Sequence, residues 1–338
     1  MPSKVSVILP NYNHARFLPQ RIESILTQSF ADFELLLLDD CSPDNSREII
    51  KQYAAQDARI QTVFNEKNSG STFKQWNKGI ALAKGEYVWL AESDDFAAPD
   101  FLETLLARLE SDEEIVLAYA NSVDIDENGT VTEGTWEEFL TELDPMWTHD
   151  FVTDGLALVR RFMAYRNIIP NASAVLIRAS ALRAIGPAPE DYRVTGDWLM
   201  WARLLAHGKV AYVSRPLNYF RSHRNTARSK NYENGLSIEE ASRVLQIIHS
   251  YGDTDPTSRQ KAIALLLEIW YQATMYHRVP WSRHKAIYRN LVAVDPQFRR
   301  MITSTFGRKF FKNASGLRIL LGDRLIYPLL GRKKPGAL

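Results

Sequence analysis

The sequence predicts an α/β fold: a three-layer sandwich around a mostly parallel sheet, followed by a helical region. Three observations predict it. Short apolar runs alternate with amphipathic helical stretches through the first 120 residues, the pattern of βαβ units with right-handed crossovers. Leu35 to Leu38 are four consecutive leucines, as expected of a strand buried on both faces. From Tyr232 onward the periodicity is helical.

Residues 5–9 read as the first strand, and 16–28 as a helix with Leu18, Ile22, Ile25 and Leu26 on one face. The leucine strand at 35–38 follows. Then comes a capped helix in "SPDNSREIIKQYAAQ", with Ile49, Ile50 and Tyr53 facing inward. Ile60–Phe64 is a strand, 73–83 a helix closed by Gly85, and 87–91 a strand. A helix at 99–109 and a strand at 115–119 complete the regular part. Residues 121–170 are acidic and less regular, with Trp136 and Trp147 expected in a loop over a cleft. "NASAVLIRASAL" (171–182) reads as a strand entering a helix. A helix at 197–207, capped by Gly208, leads to a strand at 210–213. Helices are expected at 238–251, 258–277 and 281–291. A boundary near 225–235 divides the chain into 1–228, itself split near residue 120, and a helical 229–338.

A chain of 338 residues with 45% hydrophobic and 24% charged residues has the composition of a globular protein with a large core. Cys41 is the only cysteine, which excludes an intrachain disulfide and a cysteine zinc site. The apolar run at the N-terminus is broken by Pro10 and Asn11, which suits a strand better than a signal peptide. No stretch reaches about 18 uninterrupted apolar residues, so the expected compartment is the cytoplasm. The net charge of +1 hides an asymmetry. Residues 299–338 hold ten basic residues and one acid, leaving 31 basic and 39 acidic residues to the first 298. Such a tail suits an anionic partner.

Ligands of parallel α/β sheets bind beyond the carboxyl ends of the strands. Those ends carry "PNYN" (10–13), "DDCSPDNS" (39–46), "NEKNSG" (65–70) and "ESDD" (92–95). Turn chemistry accounts for any one of them, but four polar loops at one rim suit a binding site. In the last, three acids fall within four residues and repel one another. A hard cation such as Mg²⁺ or Mn²⁺, held by one or two carboxylates and completed by substrate phosphates, would relieve that repulsion. The alternative is a solvated turn in which Asp94 or Asp95 caps the next helix. Asp39 and Asp40 end the leucine strand, where a carboxylate accepts from a base or ribose; the alternative is an Asx-turn into Ser42–Ser46.

Three blocks, in this order and spacing, carry a resemblance. They are "VSVILPNYNHARFLPQRIESILTQSFADFELLLLDDCSPDNS", "NSGSTFKQWNKGIALAKGEYVWLAESDD", and "TGDWLMWARL" followed by "YFRSHRNT". Over about residues 4–225 the chain resembles the family 2 glycosyltransferases of the GT-A fold, inverting enzymes of bacterial surface-polysaccharide synthesis. The resemblance implies a GT-A catalytic domain at 1–228, with a nucleotide-binding half to about 120 and an acceptor half after it. Pro10, Tyr12 and Asn13 would line the nucleobase pocket, and Asp40 with Asp39 would pair with the base, uracil in most relatives. Asn68, Gly70 and Lys78 would approach the nucleotide. The family's Asp-x-Asp-Asp motif reads Glu92-Ser93-Asp94-Asp95 here. Glu92 and Ser93 fall on the nucleotide side, and Asp94 and Asp95 on Mg²⁺ or Mn²⁺. His223 would complete the metal site, and Arg221 and Arg224 would meet the diphosphate. Asp197 corresponds to the catalytic base, although the Glu that often precedes it is Gly196.

The remaining residues read more plainly. His14 suits a helix start, Cys41 a structural position, and Trp76, Trp89, Trp198 and Trp201 the core. The apolar and basic residues of 299–338 suit an anionic membrane interface, fitting a peripheral enzyme acting on a lipid-linked glycan, or else packing on the catalytic domain. No nucleic-acid motif accompanies the charge. The expected partners are a nucleotide-diphosphate sugar donor and a glycan or lipid-linked acceptor. Two other readings stand beside this one: a catalytically inactive sugar-nucleotide-binding or scaffold protein, permitted by Glu92 and Gly196, and a nucleotidyltransferase, which lacks its phosphate loop here.

Overall fold

Side chains alternate across the strands of a single sheet, and the two apolar sets that result make two cores. The computed structural model describes residues 3–132, 136–223 and 234–304. The described strands are β1 (Val5–Asn11), β2 (Phe33–Asp39), β3 (Ile60–Phe64), β4 (Tyr87–Leu90), β5 (Phe96–Ala97), β6 (Ile115–Ile125), β7 (Phe151–Asp154), β8 (Val175–Arg178) and β9 (Lys209–Arg221). The helices before residue 224 are α1 (Leu18–Leu26), α2 (Ser46–Ala54), α3 (Thr72–Leu82), α4 (Phe101–Glu110), α5 (Trp136–Leu143), α6 (Gly155–Leu158), α7 (Ala179–Ala184) and α8 (Gly196–Leu205). Those after 233 are α9 (Leu236–Ser250), α10 (Pro256–Tyr276) and α11 (Trp281–Val294).

The sheet order is β3-β2-β1-β4-β8-β6-β9-β5, with β7 on β9. β1, β2, β3, β4, β6 and β9 run one way, and β5, β7 and β8 the other, so the sheet is mostly parallel by direction. Val5, Val7 and Leu9 face α1, α2 and α4, together with Leu35, Leu37 and Trp89. Ile8, Leu36, Leu38 and Leu90 face the opposite layer with Trp76 and Trp201. Burial of each such side chain contributes about 1.5–3 kcal/mol. Val244, Ile263 and Leu291 from α9, α10 and α11 join this second core, so the described C-terminal helices extend the layer that carries α3 and α8.

The regular expectations hold from β1 to β4 within a few residues. The later region differs. β6 and β9 run to 11 and 13 residues, beyond their apolar starts, because polar Asn121, Ser122 and Asn218 are buried in the ladder. The two-residue β5 and the half-exposed β7 carry little apolar signal. Trp136 begins α5, and Trp147 is buried, its indole N–H donating to Tyr119 Oη at 2.8 Å. Neither Trp136 nor Trp147 therefore lies in an irregular loop over a cleft. Gly85 is not a helix cap. A Cβ there would stand 2.6 Å from the Ser6 backbone nitrogen, and its N–H donates to Ser6 Oγ at 2.8 Å. Close passage across β1 is what requires glycine. Asp94 and Asp95 do not cap α4, whose N-cap position is Asp100.

Candidate functional site

The loops after β1 and β2 are stitched to each other. Asn11 Nδ2 donates to Asp39 Oδ1 and to Ser42 Oγ, each at 3.1 Å, and Asn13 N donates to Ser42 Oγ at 3.0 Å. Asn13 and Cys41 adopt left-handed backbones (φ 59° and 60°), the local strain that turns both loops toward the rim. The Cys41 thiol meets the Glu66 carbonyl.

The two acids of this rim separate in role. Asp39 is fully buried, paired with Arg47 at 2.9 Å and accepting from Ser42 N at 3.0 Å. It closes the Asx-turn and does not line the cavity. Asp40 is on the wall. Its Oδ1 accepts from Asn65, Ser69 N and Gln75, and its Oδ2 from Ser69 Oγ at 2.7 Å. Asn68 holds the Asp40 carbonyl through Nδ2 and the Gly70 N–H through Oδ1, and Gly70 has φ +68°. Lys78 turns to Asn65 Oδ1 and lies off the wall.

The acids after β4 are divided in the same way. Glu92 accepts from the Trp76 indole at 2.7 Å, and burial, reinforced by Asp94, pushes its carboxyl up to about 8. Asp95 is buried and accepts from Arg221 N at 2.9 Å; burial and the neighbouring Asp94 push it up to about 7. It does not line the cavity, unlike Asp94. Asp94 Oδ2 instead meets His223 Nε2 at 3.0 Å. Burial works to raise the Asp94 carboxyl, but the His223 hydrogen bond and the two nearby imidazoles outweigh it, so it lies below its ordinary value.

His14 was expected as a helix-start residue, yet it joins this group. Its Nδ1 lies 2.8 Å from Ser93 Oγ, and its ring stands edge-on to that of His223 at 5.4 Å. Burial lowers its pKa. Ligating atoms of His14, Asp94 and His223 all lie within 4.8 Å of one another. One carboxylate and two imidazoles form a donor set that fits a divalent cation.

Arg221 is not available to a diphosphate in this arrangement. Its Nε donates to Asp94 O at 2.7 Å, Nη1 to the Asp126 and Glu127 carbonyls, and Nη2 to Gln20 at 2.7 Å, while its guanidinium covers the Phe17 ring. It clamps β9 to the loop after β4. Arg224 lies outside the described residues.

A cavity of about 970 Å³ connects these parts. Pro10, Tyr12, Asn13, His14, Asp40, Asn68, Gly70, Gln75, Glu92, Ser93, Asp94 and His223 line it, with Arg16, Phe17, Phe73, Glu127 and Arg193. Asp197 sits in the first turn of α8 and accepts from Asn167 Nδ2 at 3.2 Å. It is not a wall residue, but Gly196 beside it presses on Phe73, which is: a Cβ on Gly196 would stand 2.6 Å from Phe73 Cζ.

The sequence reading passed over Arg21 and Arg193. Arg21 is fully buried, stacked 4.8 Å over the Trp89 ring, and its charge faces Asp95, Glu92 and Asp94. Burial lowers its pKa to about 10. Its position was legible: 18, 21, 22 and 25 are one helix face. Arg193 donates to Gly70 O at 2.6 Å across the cavity, a contact that no local pattern announces.

Residues 6–167 match the family model described as Glycosyl transferase family 2. Glycosyltransferase GlyG of Streptococcus pneumoniae serotype 4 is 34% identical over 143 residues, which are 42% of this chain and 47% of GlyG. The chain thus spans less than half the length of the first curated relatives it matches. Among solved structures, S. aureus TarS 1-349 in complex with UDP-GlcNAc aligns with a TM-score of 0.64 and 18% identity, covering 90% of this chain and 85% of that one. The mannosyltransferase PcManGT of Pyrobaculum calidifontis, in complex with GDP-Man and Mn²⁺, aligns with a TM-score of 0.58 and 14% identity, covering 96% and 88%. At such identities these likenesses concern the fold.

Proposed function

Residues 6–167 belong to glycosyl transferase family 2, and on that premise we propose that the chain is an inverting, metal-dependent glycosyltransferase. The observation that carries the reading is the Asp94–His223 contact at 3.0 Å on the wall of a cavity ringed by the strand-end loops. The donor is a nucleotide-diphosphate sugar, with a UDP-sugar favoured by the acceptor carboxylate of Asp40 and by the UDP-GlcNAc in TarS. The acceptor is a hydroxyl of a glycan or lipid-linked glycan in cell-surface polysaccharide synthesis.

In this reading Asp40 accepts from the base, Tyr12 and Asn13 flank it, and the Asn68–Gly70 turn backs the nucleotide. Asp94 and His223 hold Mg²⁺ or Mn²⁺, which when bound neutralises charge developing on the leaving diphosphate. Asp197 takes the proton of the acceptor hydroxyl as its oxygen attacks the anomeric carbon from the face opposite the diphosphate. The new glycosidic C–O bond forms as the bond to the diphosphate breaks, through an oxocarbenium-like transition state. Asn167 orients the carboxylate.

A second reading, an inactive sugar-nucleotide-binding protein, draws on one observation: Asp197 does not line the cavity. A thermal-shift screen of nucleotide sugars with Mn²⁺ or Mg²⁺, followed by assay of nucleoside diphosphate release, tests both. A ligand of the folded state at 100 times its Kd raises stability by about 2.7 kcal/mol. Stabilisation with release supports the enzyme, stabilisation without release the inactive binder, and no stabilisation by any nucleotide sugar overturns both.

We assign the catalytic domain to 1–228, followed by a C-terminal region whose described part, 234–304, is largely helical. No helix among the described residues is long and apolar enough to cross a membrane. Residues 305–338 lie outside the described residues, and their charge supports peripheral contact with an anionic membrane. Co-sedimentation with phosphatidylserine vesicles should be lost on removing residues 299–338. Equal sedimentation of the truncated chain would contradict this.

A further inference from the structure

We propose that His14 is a third protein ligand of the cation, giving a site of two imidazoles and one carboxylate that takes Mn²⁺ or a similar transition cation in preference to Mg²⁺. The inference rests on the reading that Asp94 holds a cation, and deepens it.

Four observations lead to it. First, the ligating atoms of His14, Asp94 and His223 fall within 4.8 Å of one another, although they come from three distant loops. Second, Asp94 Oδ2 and His223 Nε2 already meet at 3.0 Å, so a cation that displaces the proton between them finds both donors in place. Third, Ser93 Oγ lies 2.8 Å from His14 Nδ1. Donation of the Nδ1 proton to that hydroxyl puts the lone pair on Nε2 and fixes the ring, the outer partner that metal-bound histidines have.

Fourth, the other carboxylates nearby are engaged elsewhere. Asp95 Oδ1 accepts from Arg221 N, and Glu92 Oε1 accepts from the Trp76 indole. The cation is left with one protein carboxylate and two nitrogens. Mg²⁺ favours octahedral oxygen and retains its water, whereas imidazole nitrogen favours first-row transition ions over Mg²⁺, with Mn²⁺ the weakest of that series. Ser93, between Glu92 and Asp94, thereby becomes the anchor of a ligand.

The test is direct metal binding by the full chain, using Mn²⁺ alone and then with UDP, read by titration and by electron spin echo detection of nitrogen coupled to Mn²⁺. The chain should bind Mn²⁺ at least about tenfold more tightly than Mg²⁺ and show two coupled imidazoles. His14→Gln and His14→Ala should weaken Mn²⁺ binding about 10–100-fold, leave Mg²⁺ binding nearly unchanged, and remove one nitrogen coupling. Circular dichroism and the unfolding midpoint identify folded variants. Unchanged Mn²⁺ affinity and two couplings in a folded His14 variant would overturn the inference. Asp94→Ala separates the levels. If it abolishes binding while His14→Gln does not, only the ligand assignment fails; if it leaves binding intact, the cation reading fails as well.

Discussion

The two halves of the sheet are built by different rules. From β1 to β4 every pairing is parallel and unbroken, as between Val5 and Phe33 through Asn11 and Asp39. From β8 onward, antiparallel pairs are interleaved, and the β6–β9 ladder shifts register between Ile115 and Leu117 and on both sides of Asn121. The first half presents several loops on neighbouring strand ends. The second brings single residues from far along the chain, as Asp94 and His223 are 129 positions apart. The regular half lines most of the cavity, and the irregular half adds Glu127, Arg193 and His223 to it.

The largest effect should come from the second half. Asp197→Asn should slow transfer by about 10²–10⁴-fold while nucleotide-sugar binding, measured by thermal shift, stays within about twofold. Full activity would remove the base assignment and leave His223 as the irregular half's chemical part. Next is the seam. Arg221→Leu removes a buried cation that ties Asp94 O, the Asp126 and Glu127 carbonyls and Gln20 together. It should cost about 3 kcal/mol in urea unfolding and weaken Mn²⁺ binding. A loss of stability with unchanged Mn²⁺ affinity would break the link between the clamp and the proposed cation site.

A smaller effect is expected from Glu240 in α9, which is buried and accepts from the backbone N–H groups of Arg193, Val194 and Thr195 at 2.7, 2.9 and 2.9 Å. This carboxylate holds the turn that enters α8. Glu240→Gln should lower stability by about 1–3 kcal/mol and reduce kcat more than it raises KM, because Asp197 follows that turn. Equal kcat in the variant would confine Glu240 to a structural role.

The same contrast explains what was legible in the sequence. Ile60–Phe64 is found to the residue, and Asp40 and Asp94 are both on the cavity wall, because strand, loop and function there are consecutive in the chain. The seam contacts of Asp95, whose Oδ1 accepts from Arg221 N, and of Arg221, whose Nε donates to Asp94 O, were not legible in the sequence. Local sequence gives an acid or a base but not the direction it faces. His14 was read as a helix start since the Ser93 hydroxyl that fixes it lies 79 residues away. Trp147 was placed in a loop because its partner Tyr119 sits on a strand 28 residues earlier.

The central claim is that Asp94 holds a cation at the junction of the two halves and that transfer depends on it. The most direct test measures nucleoside diphosphate release from a panel of nucleotide sugars by the full chain and by Asp94→Ala, with Mn²⁺, with Mg²⁺ and with EDTA. The account predicts release that requires the metal, is abolished by EDTA, and falls by about 10³-fold or more in the variant, equivalent to several kcal/mol of lost charge stabilisation. Release that persists in EDTA, or at equal rate in folded Asp94→Ala, would contradict it.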